Sequence, residues 1–328
     1  MATFPAFWLH RGAAARALAP LAWLHGGVVR VRRYAYRAGL KAVFRVPVPV
    51  VIVGNIFVGG TGKSPLVEYV VRRLADMGAK PGIVSRGYGG RAGRGPLRVT
   101  PDMDPGLPGD EPLMLARATG APVFVGSDRV AAAMAAVEQG GCNVVVGDDG
   151  LQHYRLARDA EVVVIDAARR LGNGYLLPAG PLREPPSRLD EVDLVLANGG
   201  AIPETPLAFE LAAGRPRPLL GGGGELRGGR VHAVAGIGNP ERFFRTLREA
   251  GFEVVEHAFP DHHRYREADL DFPDGSPFVT TAKDAVKCGR LKAARNGWWL
   301  PVTLCPPSDT AERIDHLLDG LLHNSRCR

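Results

Sequence analysis

A chain of 328 residues with 45% hydrophobic and 23% charged side chains is neither disordered nor collagen-like, and it is long for a single core. Its net charge of +7 is gathered at one end: Arg11, Arg16, Arg30, Arg32, Arg33, Arg37, Lys41 and Arg45 come before the first acid, Glu68. The remainder is close to neutral, so the basicity belongs to a leader drawn to phosphate-rich surfaces, either anionic lipid or nucleic acid.

The leader carries Phe4, Phe7, Trp8, Leu18, Leu21, Trp23 and Leu24 among its arginines. Its apolar stretch is broken by Arg16, Pro20, His25, Gly26, Gly27 and Arg30, so it falls short of the ~20 apolar residues of a membrane span. No signal-cleavage pattern follows. Two readings stay open: an amphipathic helix lying in a membrane interface, or a helix that packs on the protein. The cysteines Cys142, Cys288, Cys305 and Cys327 form no Cys-x-x-Cys pair. Zinc and redox motifs are thus absent, and a reduced cytosolic setting fits.

Past Pro47 and Pro49, the run Val50 to Val53 predicts a strand. A glycine-rich turn follows, then a helical pattern from Ser64 to Met77. Further apolar runs at 82–85, 123–125, 143–146, 162–165 and 194–196 alternate with helical stretches, which predicts a mainly parallel sheet covered on both faces. Residues 86–109 read as a long loop, and the proline-dense stretch 178–188 suits neither helix nor central strand. The run Gly221 to Gly224 reads as a linker or hinge. Beyond it come strands at 231–235, 252–255 and 278–281. Helices are expected at 240–250, capped by Asn239, and at 282–294 and 311–322. The expected organisation is a basic amphipathic membrane-associating segment over 1–45, a phosphate-loop domain over 46–224 and a smaller C-terminal α/β domain over 225–328.

The sharpest chemical signal is Val58-Gly59-Gly60-Thr61-Gly62-Lys63-Ser64. It follows a strand and opens a helix, where backbone amides and the helix N-terminus stabilise phosphate charge. Lys63 is expected to meet the β- and γ-phosphates and the Ser64 hydroxyl a Mg²⁺ ion. Phe57 stands where a phosphate loop commonly begins with glycine. Downstream, Val144-Val145-Val146-Gly147-Asp148-Asp149 ends a strand in two carboxylates, the usual place for a Mg²⁺-organising acid. Gly109-Asp110-Glu111-Pro112 reads as a helix cap or as a pair of site acids, one accepting a hydroxyl proton and the other assisting the metal. Phe259-Pro260-Asp261-His262-His263 reads as a surface turn or as part of a site. Arg86 and Arg183 sit in constrained loops suited to phosphate contact.

Together these segments resemble the tetraacyldisaccharide 4′-kinase family. The resemblance rests on Gly54-Asn55 and the loop through Pro65, Ser85-Arg86-Gly87-Tyr88-Gly89, Gly109 to Pro112, and Asp148 to His153. It continues through Pro178 to Glu184, Gly236 to Phe244, Phe259 to His263, and Thr281 to Lys287. Leu151 stands where an aromatic is common, and Ala282 where an acid is usual. The resemblance implies transfer of the ATP γ-phosphoryl group to the 4′-hydroxyl of a tetraacylated glucosamine disaccharide 1-phosphate. That glycolipid substrate is met at the cytoplasmic face of the inner membrane, to which the protein would bind peripherally, with no obligate protein partner. Asp110 and His262 are implied as the catalytic pair, and Glu111, Asp148 and Asp149 as acids around metal and phosphates. Arg183 and Glu184 are implied as nucleotide contacts. Asp110 and His262 flank the glycine run, so closure of two domains is expected to assemble them.

Two other classes are weighed. A GTP-binding switch wants an Asn/Thr-Lys-x-Asp motif, whereas Lys283 and Asp284 are adjacent. A nucleic-acid binder wants stacking aromatics beside the basic leader, and none accompany it.

Overall fold

The computed structural model describes residues 5–91, 93, 95–221 and 224–326. Phe4, Cys327 and the middle of the glycine run, Gly222 and Gly223, lie outside the described residues. In chain order the elements are α1 (Ala13–Arg37), β1 (Val50–Gly54), α2 (Lys63–Asp76), β2 (Pro81–Ser85), β3 (Leu97–Val99), α3 (Asp110–Thr119), β4 (Val123–Val125) and α4 (Arg129–Glu138). Then come β5 (Val144–Asp148), β6 (Ala160–Asp166), β7 (Leu194–Asn198), β8 (Ala208–Ala213), β9 (Arg217–Pro218), β10 (Gly229–Ala235), α5 (Pro240–Glu249) and β11 (Phe252–Ala258). Last are α6 (Glu267–Leu270), β12 (Phe278–Thr281), α7 (Ala282–Cys288), β13 (Gly297–Leu300), β14 (Val302–Cys305) and α8 (Ser308–Arg326).

The larger sheet has nine strands in the order β14-β8-β7-β6-β1-β5-β2-β4-β3. Its centre is parallel, and only the edge pairs β3–β4 and β14–β8 are antiparallel. Alternation along β1 explains the two covered faces. Val51 and Val53 pack with Leu66, Val67 and Val70 of α2, whereas Val50 and Ile52 pack with Ala132, Ala133 and Ala136 of α4. The smaller sheet runs β11-β10-β12-β13-β9. Val231, Ala233 and Ala235 bury one face of it against Phe243, Phe244 and Leu247 of α5.

The expected α/β architecture is therefore present: a mainly parallel sheet behind a phosphate loop, a smaller α/β unit and an N-terminal helix. Its expected boundary at 224/225 is crossed twice. β9 joins the smaller sheet from before the glycine run. β14 pairs with β8, and Ile314, Leu318 and Leu321 of α8 complete the core of the larger sheet. Physically, the apolar face of α8 is buried against α2 and the sheet, so residues 302–326 belong with the larger unit. The helix expected over 282–294 stops at Cys288 with Gly289 as its cap, and a short 3₁₀ turn follows at Lys292–Asn296. The proline-dense stretch likewise leads into a 3₁₀ turn at Pro186–Glu191.

α1 answers the question left open for the leader by having two faces. Ala15, Ala19, Ala22 and Gly26 are its buried residues, a stripe of small side chains at helical spacing. An added Cβ on Gly26 would stand 2.9 Å from Leu176 Cδ1. The Trp8 indole N–H donates to the Pro178 carbonyl at 3.0 Å and Arg11 Nε to the Asn173 carbonyl at 2.9 Å. Arg33 and Arg37 both reach the Glu191 carboxylate. The helix is thus docked on the segment 173–191. The opposite side, at the same spacing, exposes Leu24, Val28 and Val31, with Trp23 70% exposed beside them.

Candidate active site

A cleft of about 1710 Å³ lies between the two sheets and is lined by Val58 to Pro65 on one wall and by Asp261, His262 and Lys283 on the other. A second hollow of about 640 Å³, beside Val71, Ala75 and Cys142, holds none of the expected site residues.

The first wall is built by β1 and α2. The loop between them wraps so that Gly62 is left-handed, with φ +96°, immediately before Lys63 opens the helix. A side chain at Gly62 would also meet Asn198 Nδ2 at 2.4 Å, so glycine is required twice over. The loop is pinned from below. Asn55 Nδ2 donates to Thr61 Oγ1 at 3.1 Å and to the Gly59 carbonyl at 3.3 Å, and Asn198 Nδ2 donates to the Thr61 carbonyl at 3.1 Å. The Val58 N–H is held by the Pro181 carbonyl at 2.9 Å. This leaves the helix N-terminus and the Lys63 ammonium as the positive end of the cleft. Ser64 and Pro65 line it alongside.

β5, neighbour of β1, delivers Asp148 and Asp149 to the same end. The adjacent acids behave in opposite ways. Asp149 takes a left-handed φ of 50°, which turns it toward Lys63 Nζ at 3.7 Å and Arg183 Nη1 at 3.0 Å. Burial alone would raise its pKa, but those two cations outweigh burial and hold it below the ordinary carboxylate range. Asp148 is 2% exposed and, among the described residues, its side chain accepts from the Ser85 hydroxyl alone, at 3.1 Å on Oδ2. Burial first, then repulsion from Glu111 and Asp149, pushes its carboxyl up to about 7. Its Oδ1 is buried and has no hydrogen-bond partner among the described residues.

That orphaned oxygen bears on the expected Mg²⁺. Among the described residues no three His, Cys, Asp or Glu side chains stand close enough to hold a metal by themselves. Mg²⁺ ordinarily takes one or two carboxylates and fills the rest of its shell with phosphate oxygens and water. A buried, repelled carboxylate with a free oxygen beside a phosphate loop fits that mode of binding.

The second wall is assembled across the two sheets. Gly109, at φ +95°, leads into α3, placing Asp110 and Glu111 in the helix's first turn. His262, itself at φ +61°, comes from the loop after β11. Its Nδ1 lies 3.1 Å from Asp110 Oδ2, with Lys287 Nζ 3.5 Å from the same oxygen. Burial works to raise the Asp110 pKa; the His262 hydrogen bond and the Lys287 charge reverse this and keep it below the ordinary value. Lys283 Nζ bridges Glu111 at 3.1 Å and Asp261 at 3.0 Å, which raises its pKa despite burial. The expected closure is not needed to assemble the pair, because Asp110 and His262 already meet.

The family model for tetraacyldisaccharide-1-P 4′-kinase matches residues 14–319. The tetraacyldisaccharide 4′-kinase of Halorhodospira halophila is 56% identical over 318 residues, covering 97% of each chain. That of Alkalilimnicola ehrlichii is 57% identical over 327 residues, covering 98% of each. The chain belongs to the tetraacyldisaccharide 4′-kinase family. Among solved structures, LpxK from Aquifex aeolicus in complex with ATP matches with a TM-score of 0.77 at 26% identity, covering 94% of this chain and 99% of that one.

In this family member the expected residues do not all face the cleft. Arg183 does, but Glu184 is turned inward: it is 1% exposed and accepts from Gln152 Nε2 at 2.8 Å and the Tyr154 hydroxyl at 2.7 Å. In this structure it supports the site from beneath, since Gln152 in turn donates to the Asn55 carbonyl at 3.1 Å. Glu111 lines the cleft with one oxygen already engaged by Lys283. Sequence reasoning missed Asn198, which ends β7 under the loop, and Arg242 of α5, whose Nη1 donates to Asn198 Oδ1 at 3.2 Å. It also missed Arg129, buried at the start of α4 yet lining the cleft. Position in the parallel sheet held the clue for Asn198: ligands bind beyond the carboxyl ends of such strands.

Proposed function

We propose that this chain transfers the γ-phosphoryl group of ATP to the 4′-hydroxyl of a tetraacyldisaccharide 1-phosphate. The observation that carries the reading is the facing of two walls across one cleft, a phosphate loop with Lys63 on one and His262 on the other, with Asp110 directly behind it at 3.1 Å. Lys63 and the loop amides hold the β- and γ-phosphates, and Arg183 adds charge at the same end. Asp148 and Ser64, with water completing the shell, would hold Mg²⁺; when bound, the ion supplies neutralisation of charge on the phosphate oxygens. Asp110 orients the acceptor hydroxyl. As its oxygen bonds to the γ-phosphorus, the bond from that phosphorus to the bridging oxygen of ADP breaks, and the hydroxyl proton passes to Asp110, held and assisted by His262. Phosphoryl transfer asks mainly for such positioning and charge stabilisation.

The exposed face of α1 supplies the place where a lipid acceptor is met. No helix among the described residues is long and apolar enough to cross a membrane. Leu24, Val28 and Val31 face outward, and Arg16 and Arg30 are exposed on the same helix. An apolar strip with flanking arginines suits peripheral contact with an anionic surface, with about 1 kcal/mol for each basic residue near it. The working site in this reading is the cytoplasmic face of the inner membrane.

The test is to supply γ-labelled ATP and Mg²⁺ with or without tetraacyldisaccharide 1-phosphate in mixed micelles. Label should appear on the lipid at the 4′ position, only when the lipid is present. Label released to water at the same rate with and without lipid would contradict the assignment.

A further inference from the structure

Asp110 carries two neighbours on one oxygen: His262 Nδ1 and Lys287 Nζ both lie on Oδ2. Lys287 comes from α7, one turn beyond Lys283, which holds Glu111. Residues four apart share a helix face, so α7 presents both lysines to the first turn of α3, against which it packs.

Lys287 is fixed from behind. Its side chain is 6% exposed and pairs at 2.6 Å with Oδ1 of Asp284, which is fully buried. The other oxygen of Asp284 accepts from the Gly236 N–H at 2.9 Å and the Thr281 hydroxyl at 2.8 Å. Gly236 permits this approach: a Cβ there would stand 2.8 Å from the Tyr265 hydroxyl and 3.2 Å from Asp284 Oδ1. The Tyr265 ring flanks the ammonium at 5.1 Å. Buried ion pairs are a weak source of net stability, because desolvation offsets attraction. A ladder of Asp284, Lys287 and Asp110 that ends on the partner of His262, which lines the cleft, is better explained by what it does to that acid.

We propose that Lys287 is a positioning residue: backed by Asp284, it fixes Oδ2 of Asp110 together with His262 and so leaves Oδ1 for the acceptor hydroxyl. This rests on Asp110 as the acceptor base. The pairing links the smaller sheet to Asp110 through α7 as well as through the loop that carries His262.

The test measures kcat and both KM values for Lys287→Met, Lys287→Arg and Asp284→Asn in the full chain, with a double-mutant cycle against Asp110→Asn. Lys287→Met should lower kcat about 10- to 100-fold, as misplacement of a reacting group does. The KM for ATP should stay within about twofold, and Lys287→Arg should recover part of the loss. In the Asp110→Asn background, Lys287→Met should cost little more, because its effect runs through the removed carboxylate. Wild-type kcat in Lys287→Met beside a large loss in Asp110→Asn would overturn the inference and spare the base assignment. Wild-type kcat in Asp110→Asn would remove the base assignment, and the inference with it. Multiplicative losses in the cycle would also overturn the inference. If Lys287→Met does not fold, Asp284→Asn frees the lysine without deleting it; a folded Asp284→Asn with unchanged kcat would count as refutation.

Discussion

The two walls of the cleft are built by different means. On the phosphate-loop wall, eight consecutive residues, Val58 to Pro65, form the lining, and the neighbouring strand adds Asp148 and Asp149. On the opposite wall, His262 is backed by Asp110, 152 positions away, and the two meet because the smaller sheet packs on the larger. A phosphate is held largely by backbone amides, which one contiguous motif can supply. In the proposed reaction the proton acceptor must be set at one point, and ion pairs across the interface would set Asp110 there. The first wall should therefore fail by loss of charge, and the second by loss of alignment.

The largest expected effect is on the phosphate side. Lys63→Ala should cost on the order of 10³-fold in kcat, because the transferring phosphate loses a preorganised cation. Circular dichroism and the melting temperature should remain close to wild type, since Lys63 lies at a helix end with its head in the cleft. Comparable turnover in a folded variant would break the distinction between the walls.

His262→Ala should cost less, roughly 10²-fold, as for one member of an acid–base pair. Combined with Asp110→Asn, the loss should fall short of the product of the singles, because the two side chains share one hydrogen bond. Independent losses would show that adjacency in the cleft does not amount to joint action.

A third expectation separates Asp148 from Asp149. The folded-state pKa of Asp148 is raised to about 7, so its burial is tolerated while protonated and becomes destabilising as pH climbs from about 4 through 7. Nucleotide-free Asp148→Asn should therefore melt about 2–4 °C above wild type at pH 8 and show no gain near pH 4. Asp149 has the opposite sign: its contribution is present above the ordinary carboxylate pKa and is lost as pH falls through its depressed value. Asp149→Asn should then be less stable than wild type at pH 8, which differential scanning calorimetry can check. Equal responses of the two variants would sink the contrast.

The smallest expected effect on chemistry comes from α1. Leu24→Glu with Val28→Glu should weaken binding to anionic vesicles about tenfold or more while leaving kcat on micellar substrate within about twofold, since neither side chain lines the cleft. Undiminished vesicle sedimentation would remove α1 from the membrane assignment.

How far these features could be read in advance follows from how local their physics is. β1, the phosphate loop and α2 announce themselves because apolar run, glycines and helical pattern are consecutive. Asp148 and Asp149 follow, since a strand that ends in acids beside such a loop sets its carboxylates at the same end of the sheet. The return of β14 and α8 to the larger sheet could not be read, because a four-residue edge strand carries no local mark of its partner. The stop of α7 at Gly289 was open to reading, as a glycine after a helical run is a common end. The inward turn of Glu184 and the reach of Lys283 and Lys287 depend on which side chains the fold brings opposite them. Resemblance to a family named Asp110 and His262, but only the packing of two sheets supplies the 3.1 Å contact between them.

Asp110→Asn examined by single-turnover rapid quench, with saturating ATP, Mg²⁺ and glycolipid, tests the central claim most directly. The variant keeps the shape of the side chain and removes its basicity. Transfer to the 4′-hydroxyl should slow by about 10²–10⁴-fold, with ATP affinity by equilibrium titration unchanged. Phosphoryl transfer at the wild-type rate in that variant would contradict the account.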